Sequence, residues 1–504
     1  MQGKRNWKEV MLTDEARELQ SIAEMKYKAS RRNGKVRLEA DTQTGVAPLC
    51  QLSHGLSISK RKTPHTPDSL WWDGGLCTIL PFYKSPHEDA RLLKLYLDFV
   101  FPIQFTFYPM STTVDRSWLV RGLCSNQARY HAALTISASF DTSMREPQRT
   151  DGIGLSLEVM ERQTVASSGL QDIIKQLDQR RDLPKEVARI SLQILEVMHQ
   201  LLSLEVFSML EGAWEIHHKA TRVLLNTLHT YKLSSSGDEI DVAMQPSPLE
   251  IALRDFSSPE IQKNFEFHVT CVVWVDIIAN ATFGSPQQSP RHFDYIPYLR
   301  TNELKTHNIM GCHSSVMADI AEITNLTDWM THHSLIKSLD TKELSTRTAV
   351  IANRLADRVR GLEKQSDLYM AKTEAGSRSV TLQFAWAAQI YLHVILFGAD
   401  AENPEIMFRV GRSLEMLEKL PNWLMIRVNW AFTIVGCLAG KNLYDRFRGL
   451  VGRMAAQKQP LGMTWKGLMV MEECWRLRQS RPEVSAYCDW REAMKSLGKR
   501  ILLV

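Results

Sequence analysis

Apolar residues recur at helical spacing along most of this chain. From Glu88 onward Leu92, Leu93, Tyr96, Leu97 and Val100 fall on one stripe, the spacing of a helix that buries one face. Similar periodicity predicts helices over Ser117–Phe140, Ser156–Leu177, Lys185–Leu202, Glu205–Thr230, Ser258–Phe283, Ser314–His332, Thr341–Lys372, Val380–Phe397, Pro404–Leu420, Leu424–Leu438, Leu443–Gln457, Thr464–Arg478 and Asp489–Ser496. No alternating run of comparable length competes for a strand. Turn residues separate the segments: Ser234 to Asp238 with Pro246 and Pro248, Gly284 to Pro286 with Pro290 and Pro297, and Gly398 to Pro404. Without a fixed-period repeat, an orthodox TPR or HEAT array is not expected. The expectation is an all-α fold, a large multi-helix body of antiparallel helix pairs over residues 88–504.

Composition supports a large core. The 504 residues are 44% hydrophobic and 23% charged, with only 25 Gly and 19 Pro, which excludes a collagen, a mostly disordered chain and a small disulfide scaffold. The best apolar run read for a membrane span, Trp430 to Gly440, has eleven residues against the ~20 a bilayer needs, so no membrane partner is expected. Met1 to Val10 carries Lys4, Arg5, Lys8 and Glu9 with no apolar stretch behind it, unlike a secretory signal. The eight cysteines are scattered and form no Cys-x2-Cys pair, so standard zinc sites cannot be built and most should be buried thiols of a reduced, intracellular compartment.

The net charge of +5 becomes informative once located. Residues 1–67 hold 13 Lys/Arg against 7 Asp/Glu, leaving the rest close to neutral. Lys26, Lys28, Arg31, Arg32, Lys35 and Arg37 form one acid-free cluster, and Lys60, Arg61 and Lys62 a second. Gln43 to Pro86, rich in Pro, Gly, Ser and Thr, reads as a linker, and at most one short helix is expected before it, over Thr13–Ala29. Residues 1–87 are therefore expected to be a basic arm and flexible linker. Such clusters suit an importin groove or phosphate contacts; a plain solvated tail is the alternative.

Catalytic motifs are missing from the sequence: it holds no P-loop, no G-x-G-x-x-G after a strand, no G-x-S-x-G and no H-E-x-x-H. Trp214-Glu215-Ile216-His217-His218 concentrates an acid and two histidines, but adjacent side chains diverge by about 100° on a helix. The expected outcome is a helix burying Trp214 and His217 and exposing His218. Asp276 stands inside Val272-Val273-Trp274-Val275-Asp276-Ile277-Ile278. A buried carboxylate there is either a functional acid or, the favoured reading, a structural acceptor for a nearby Arg, Trp N–H or backbone group.

The blocks without catalytic meaning resemble a known family. Leu95 to Pro102, Phe105-Thr106-Phe107-Tyr108, Ser117-Trp118-Leu119 and Tyr130 to Leu134 look like the start of the fungal-specific transcription factor regulatory domain. The resemblance continues through Leu204 to Phe207, Trp214 to His217, Trp274 to Ile277, Met310-Gly311-Cys312, Ala321 to Ile323 and Phe384 to His393. It closes with Trp430 to Phe432, Gly436 to Ala439, Phe447 to Leu450, Trp465-Lys466, Met471 to Trp475 and Asp489 to Arg491. This resemblance implies an all-α, nuclear regulator that is not an enzyme, without a cofactor, whose body serves dimerisation, effector sensing or co-regulator contact.

Family members commonly carry a six-cysteine zinc cluster near the N-terminus. Here only Cys50 and Cys77 precede residue 90, so no metal ligand or DNA-reading residue can be carried over. DNA contact by this chain is then weak or indirect, and promoter targeting falls to a DNA-binding partner protein or to a zinc cluster outside this sequence. The contrasting class is an accessory or small-molecule-binding protein, or an enzyme, on the same scaffold. Metal analysis of the purified chain should find no stoichiometric zinc; one tightly held ion per chain would contradict this reading.

Overall fold

The computed structural model describes residues 86–109, 117–145, 157–179, 184–207, 214–230, 247–254, 259–284, 293–365, 370–456, 462–480 and 488–504. Among the described residues the regular structure is helical, with no strand. The basic arm, the expected helix over Thr13–Ala29 and nearly all of the linker lie outside them. The linker's last residue, Pro86, instead opens the first helix.

The first part of the body comprises α1 (Pro86–Leu95), a π-helical turn over Tyr96–Val100, α2 (Phe101–Gln104), α3 (Ser117–Ser125), α4 (Gln127–Arg145), α5 (Leu157–Gln179), α6 (Pro184–Phe207), α7 (Trp214–Thr230) and α8 (Pro248–Arg254). Next comes α9 (Pro259–Phe283). The second part holds α10 (Ile296–Arg300), α11 (Thr306–Met310), α12 (Ser314–Leu335), α13 (Thr341–Lys364), α14 (Lys372–Phe397), α15 (Pro404–Lys419), α16 (Asn422–Met425), α17 (Asn429–Cys437), α18 (Tyr444–Ala456), α19 (Gly462–Ser480) and α20 (Trp490–Ser496). Sequence neighbours pack on one another: α4 on α5, α5 on α6, α6 on α7, then α12 on α13, α13 on α14 and α14 on α15. The seam is α9, which touches α6 and α7 on one side and α11, α12 and α20 on the other.

Local chemistry explains several boundaries. Asp340, Asn403 and Asp489 each accept two backbone N–H groups of the following turn, satisfying donors that a helix start leaves open. Ser247 and Glu250 cap each other reciprocally, as a capping box does. The π turn arises beside Pro102, which has no N–H to give to the ladder; the Phe101 N–H reaches back to the Tyr96 carbonyl. The predicted helix Thr341–Lys372 is divided, since α13 stops at Lys364 and Lys372 starts α14. The first two turns of α14, Lys372 to Ser379, carry no large apolar residue, so periodicity is silent there. Helices α8, α10 and α11 are too short for periodicity to register, and α6 runs through the expected break to Phe207.

The longest apolar helix differs from the sequence expectation. Among the described residues α14, not the segment Trp430–Gly440, is long and apolar enough to cross a membrane. It is mostly buried among α12, α13, α15 and α17, so its composition is that of a core helix surrounded by protein. Of the six described cysteines, five are buried and Cys124 is half-buried.

One buried ion pair constrains helix packing in the first part. Arg129 on α4 is fully buried against Glu196 on α6, and a Cβ at Gly122 on α3 would collide with its guanidinium. Gly122→Ala would gain up to ~1 kcal/mol in helix propensity, but Arg129 cannot retreat without breaking its buried ion pair with Glu196. The overpacking cost of about 1–3 kcal/mol should win. Urea unfolding should therefore show a less stable variant.

Candidate functional site

Of the residues singled out from sequence, Lys26, Lys28, Arg31, Arg32, Lys35, Arg37, Lys60, Arg61 and Lys62 lie outside the described residues. Asp276 lies inside, on α9, 5% exposed. Its Oδ1 meets His218 Nε2 at 3.0 Å and Arg222 Nε at 3.0 Å, while Oδ2 accepts from Asn280 Nδ2 and Tyr295 OH, each at 2.9 Å. Burial works against its ionisation, yet His218, Arg222 and Tyr295 together hold the carboxyl below its usual range. Burial and the adjacent Asp276 push the Tyr295 phenol far up. The carboxylate thus ties α7, α9 and the segment before α10 together.

The expected exposure of His218 is corrected by this contact. His217 and His218 are both buried, because α7 is covered by α6 on one side and by α9 on another. Helical periodicity assigns a helix one buried stripe and cannot register a second neighbour.

Sequence reasoning missed a second buried polar centre. Glu196 takes hydrogen bonds from Arg129, Asn126 and Asn264. Nearby, His199 Nδ1 and His268 Nδ1 stand 3.1 Å apart, packed against Phe105 and Phe267. Burial, with Arg129 next, lowers His199 to about 3 and His268 well below its ordinary value. Burial also lowers His217 to about 4. The available signal was the polar interruption of apolar stripes by Glu196, His199 and His268.

Two further centres hold the second part. Arg300, Arg354 and Arg358 converge on Asp319 and Glu322 of α12. Arg427 is buried without a carboxylate; it donates to the Gln104 carbonyl at 2.7 Å and to that of Ile103, so it caps the end of α2. Burial lowers its guanidinium to about 10.

Between α11, the turn at Gly311 and the start of α14 lies an open groove of about 430 Å³. Gly311 has φ +84°, a left-handed turn, and a Cβ there would run into the Phe107 ring. Phe107 consequently forms the apolar floor, 8% exposed. His307, His313, Thr373, Glu374 and Arg378 line the rest. Ser377 Oγ donates to the Gly311 carbonyl at 2.7 Å, and Arg378 Nη1 to that of Leu362 at 2.8 Å, fixing both walls. Burial lowers both imidazoles, aided at His307 by His313 and Lys305 and at His313 by Arg358.

Among the described residues the arrangement is a helical body with buried, hydrogen-bonded polar centres and a polar-walled groove at the Gly311 turn. The model of the fungal specific transcription factor domain matches residues 91–504. The chain belongs to that family. It is 25% identical over 435 residues to the trichothecene biosynthesis transcription regulator TRI10 of Trichoderma arundinaceum, covering 84% of this chain and 100% of the relative. Transcription factor dibT of Pestalotiopsis microspora is 25% identical over 449 residues, 81% of this chain and 70% of its own. The ustiloxin B cluster transcription factor ustR of Aspergillus flavus is 24% identical over 437 residues, 83% and 72% of the two chains. No solved structure matches the chain. Within this member of the fungal specific transcription factor domain family, Met310-Gly311-Cys312 makes the groove's turn and Trp274 to Ile277 carries Asp276.

Two measurements probe these centres. The unfolded chain takes up histidine protons near pH 6.5, whereas the core refuses them until about pH 3 at His199 and about pH 4 at His217. Stability should be whole above pH 6.5 and fall as pH drops, by up to ~1.4 kcal/mol per pH unit for each such histidine. Thermal melts from pH 7 to 4.5 should show this decline, and His199→Gln should make it shallower. Asp276→Ala should lower stability by about 3 kcal/mol in urea unfolding, since His218, Arg222 and Tyr295 lose their common acceptor.

Proposed function

We propose that this chain is a pathway-specific transcriptional regulator acting in the nucleus on the genes of a biosynthetic cluster. The observation that carries the reading is the family match across nearly the whole helical body, joined to relatives named for control of trichothecene and ustiloxin B production. In this reading residues 88–504 form the regulatory body, which contacts co-regulators and a second copy of itself. Asp276 is a structural acceptor and not a catalytic acid: four donors saturate it, leaving little capacity for a substrate.

Residues 1–87 form the basic arm. Its two clusters, Lys26 to Arg37 and Lys60 to Lys62, suit importin as separated basic segments, and a linker between them costs little because closure entropy grows slowly with length. Arm contacts to DNA are phosphate contacts, weak and salt-sensitive. Selective promoter binding comes from a DNA-binding partner or a zinc cluster outside these residues.

Deleting the gene should lower or raise transcripts of one set of clustered biosynthetic genes, and re-expression should restore them. An unchanged transcriptome under producing conditions would end the proposal. Replacing both basic clusters with Ala/Gln in a fluorescent fusion should abolish nuclear accumulation.

A further inference from the structure

We propose that two copies of this chain pair through the end of the body where α12 and α14 finish and α13 and α15 begin. The α12–α13 corner of each copy lies against the α14–α15 corner of the other. This rests on the reading that the body contacts a second copy of itself, and it supplies the face.

Topology brings that end together. Helices α12 and α13 run antiparallel, since Asp319 meets Arg354 and Arg358 while Trp329 meets Arg347. Helix α14 runs with α12: the His313 N–H reaches Thr381 Oγ1 at 3.1 Å, and Thr324 Oγ1 stands 3.3 Å from Tyr391 OH. Helix α15 returns along α14, with Gln383 beside Ser413 and His393 beside Glu405. Of the eight large apolar side chains that stand exposed among the described residues, five are at this shared end: Leu335 (76%), Ile336, Phe397 (73%), Met407 and Phe408. They fall off the stripes that build the core. On α15 the buried residues are Ile406, Val410, Leu414 and Leu417, and Met407 and Phe408 lie about 100° and 200° further round the helix than Ile406. Leu335 and Ile336 close α12, just before the left-handed turn at Lys337 (φ +54°). Exposed apolar side chains gathered in one region mark an association surface.

Charge selects a second copy as the occupant. The α12–α13 corner carries Lys337 and Lys342, both exposed and neither with an ion-pair partner among the described residues. Its acids are engaged: Asp340 accepts the Lys342 and Glu343 N–H groups, and Glu343 pairs with Arg347. The α14–α15 corner carries Asp400 and Glu402, exposed and equally without a cation partner. Asp400 accepts only the Glu402 N–H, and the neighbouring Glu405 is paired with Arg409. One corner is therefore net positive and the other net negative. A two-fold axis sets the lysines of each copy against the acids of its partner, so the same contact forms twice, and the charges fix the register of the apolar residues between them. A partner of single sign would match one corner only.

The test is light scattering of the full chain on a sizing column. The chain should run as a dimer at about 10 μM, as a Kd near 1 μM requires. Leu335→Asp and Phe408→Asp should each weaken association at least about tenfold. Lys337→Glu with Lys342→Glu makes both corners acidic, and Asp400→Lys with Glu402→Lys makes both basic. Each charge variant should be monomeric alone, and the two should pair when mixed. All these side chains are exposed, melting temperatures monitor folding, and the charge variants remain readable if an apolar substitution unfolds the chain. A monomeric wild-type chain, a dimer untouched by the substitutions, or charge variants that fail to pair on mixing would overturn the proposal. A monomer that still controls its cluster transcripts would remove this face and leave the regulatory reading standing. A dimer broken as expected, in a chain without effect on transcripts, would do the reverse.

Discussion

The body is organised by the burial of α9 on nearly every side. A helix in that position cannot turn most of its polar residues to water, and an unpaired buried donor or acceptor costs about 1–3 kcal/mol, so partners inside the body matter for its polar side chains. Asn264 meets Glu196 of α6, His268 meets His199 of α6, and Asp276 meets His218 and Arg222 of α7 and Tyr295 beyond the helix. The Thr282 carbonyl accepts from Trp490 Nε1 of α20 at 3.0 Å. These pairings fix which helices lie against α9 and in what register. Apolar packing alone would tolerate rotation or sliding of neighbours far better.

The same logic joins the two parts of the chain. Arg427 reaches across to the carbonyls that end α2, bridging positions 323 residues apart, and Phe107 crosses into the turn at Gly311. The groove is therefore a product of the junction between parts, walled by α11 and α14 and floored by the segment after α2. A regulator needs a place where an input can bias the arrangement of its elements, and a junction built from distant segments is where differential contacts can act.

Much of the helix layout was legible because periodicity is a local property. The stripes through Leu92 to Val100 and along Ser314–His332 announced helices that exist, and the scattered cysteines announced buried thiols. Legibility failed where the local signal was short or polar: α8, α10 and α11 have seven residues or fewer, and the start of α14 is polar because it lines the groove and meets solvent. Asp276 stood out as a lone acid in an apolar run. Glu196, His199 and His268 carried the same mark, but each was diluted by other polar residues in its helix.

The sequence by itself determined that the chain is helical, that its body has a large apolar core, and that its positive charge is concentrated before that body. Composition and spacing suffice for these because each depends on residues within a few turns of one another. Tertiary structure alone decided the partners. Glu196 pairs with Arg129 and Asn264 at separations of 67 and 68 residues, and His218 became buried through α9 packing on a face that its own helix left open. Whether a polar residue is a surface group, a structural acceptor or a groove wall depends on what packs against it, and no local pattern contains that neighbour.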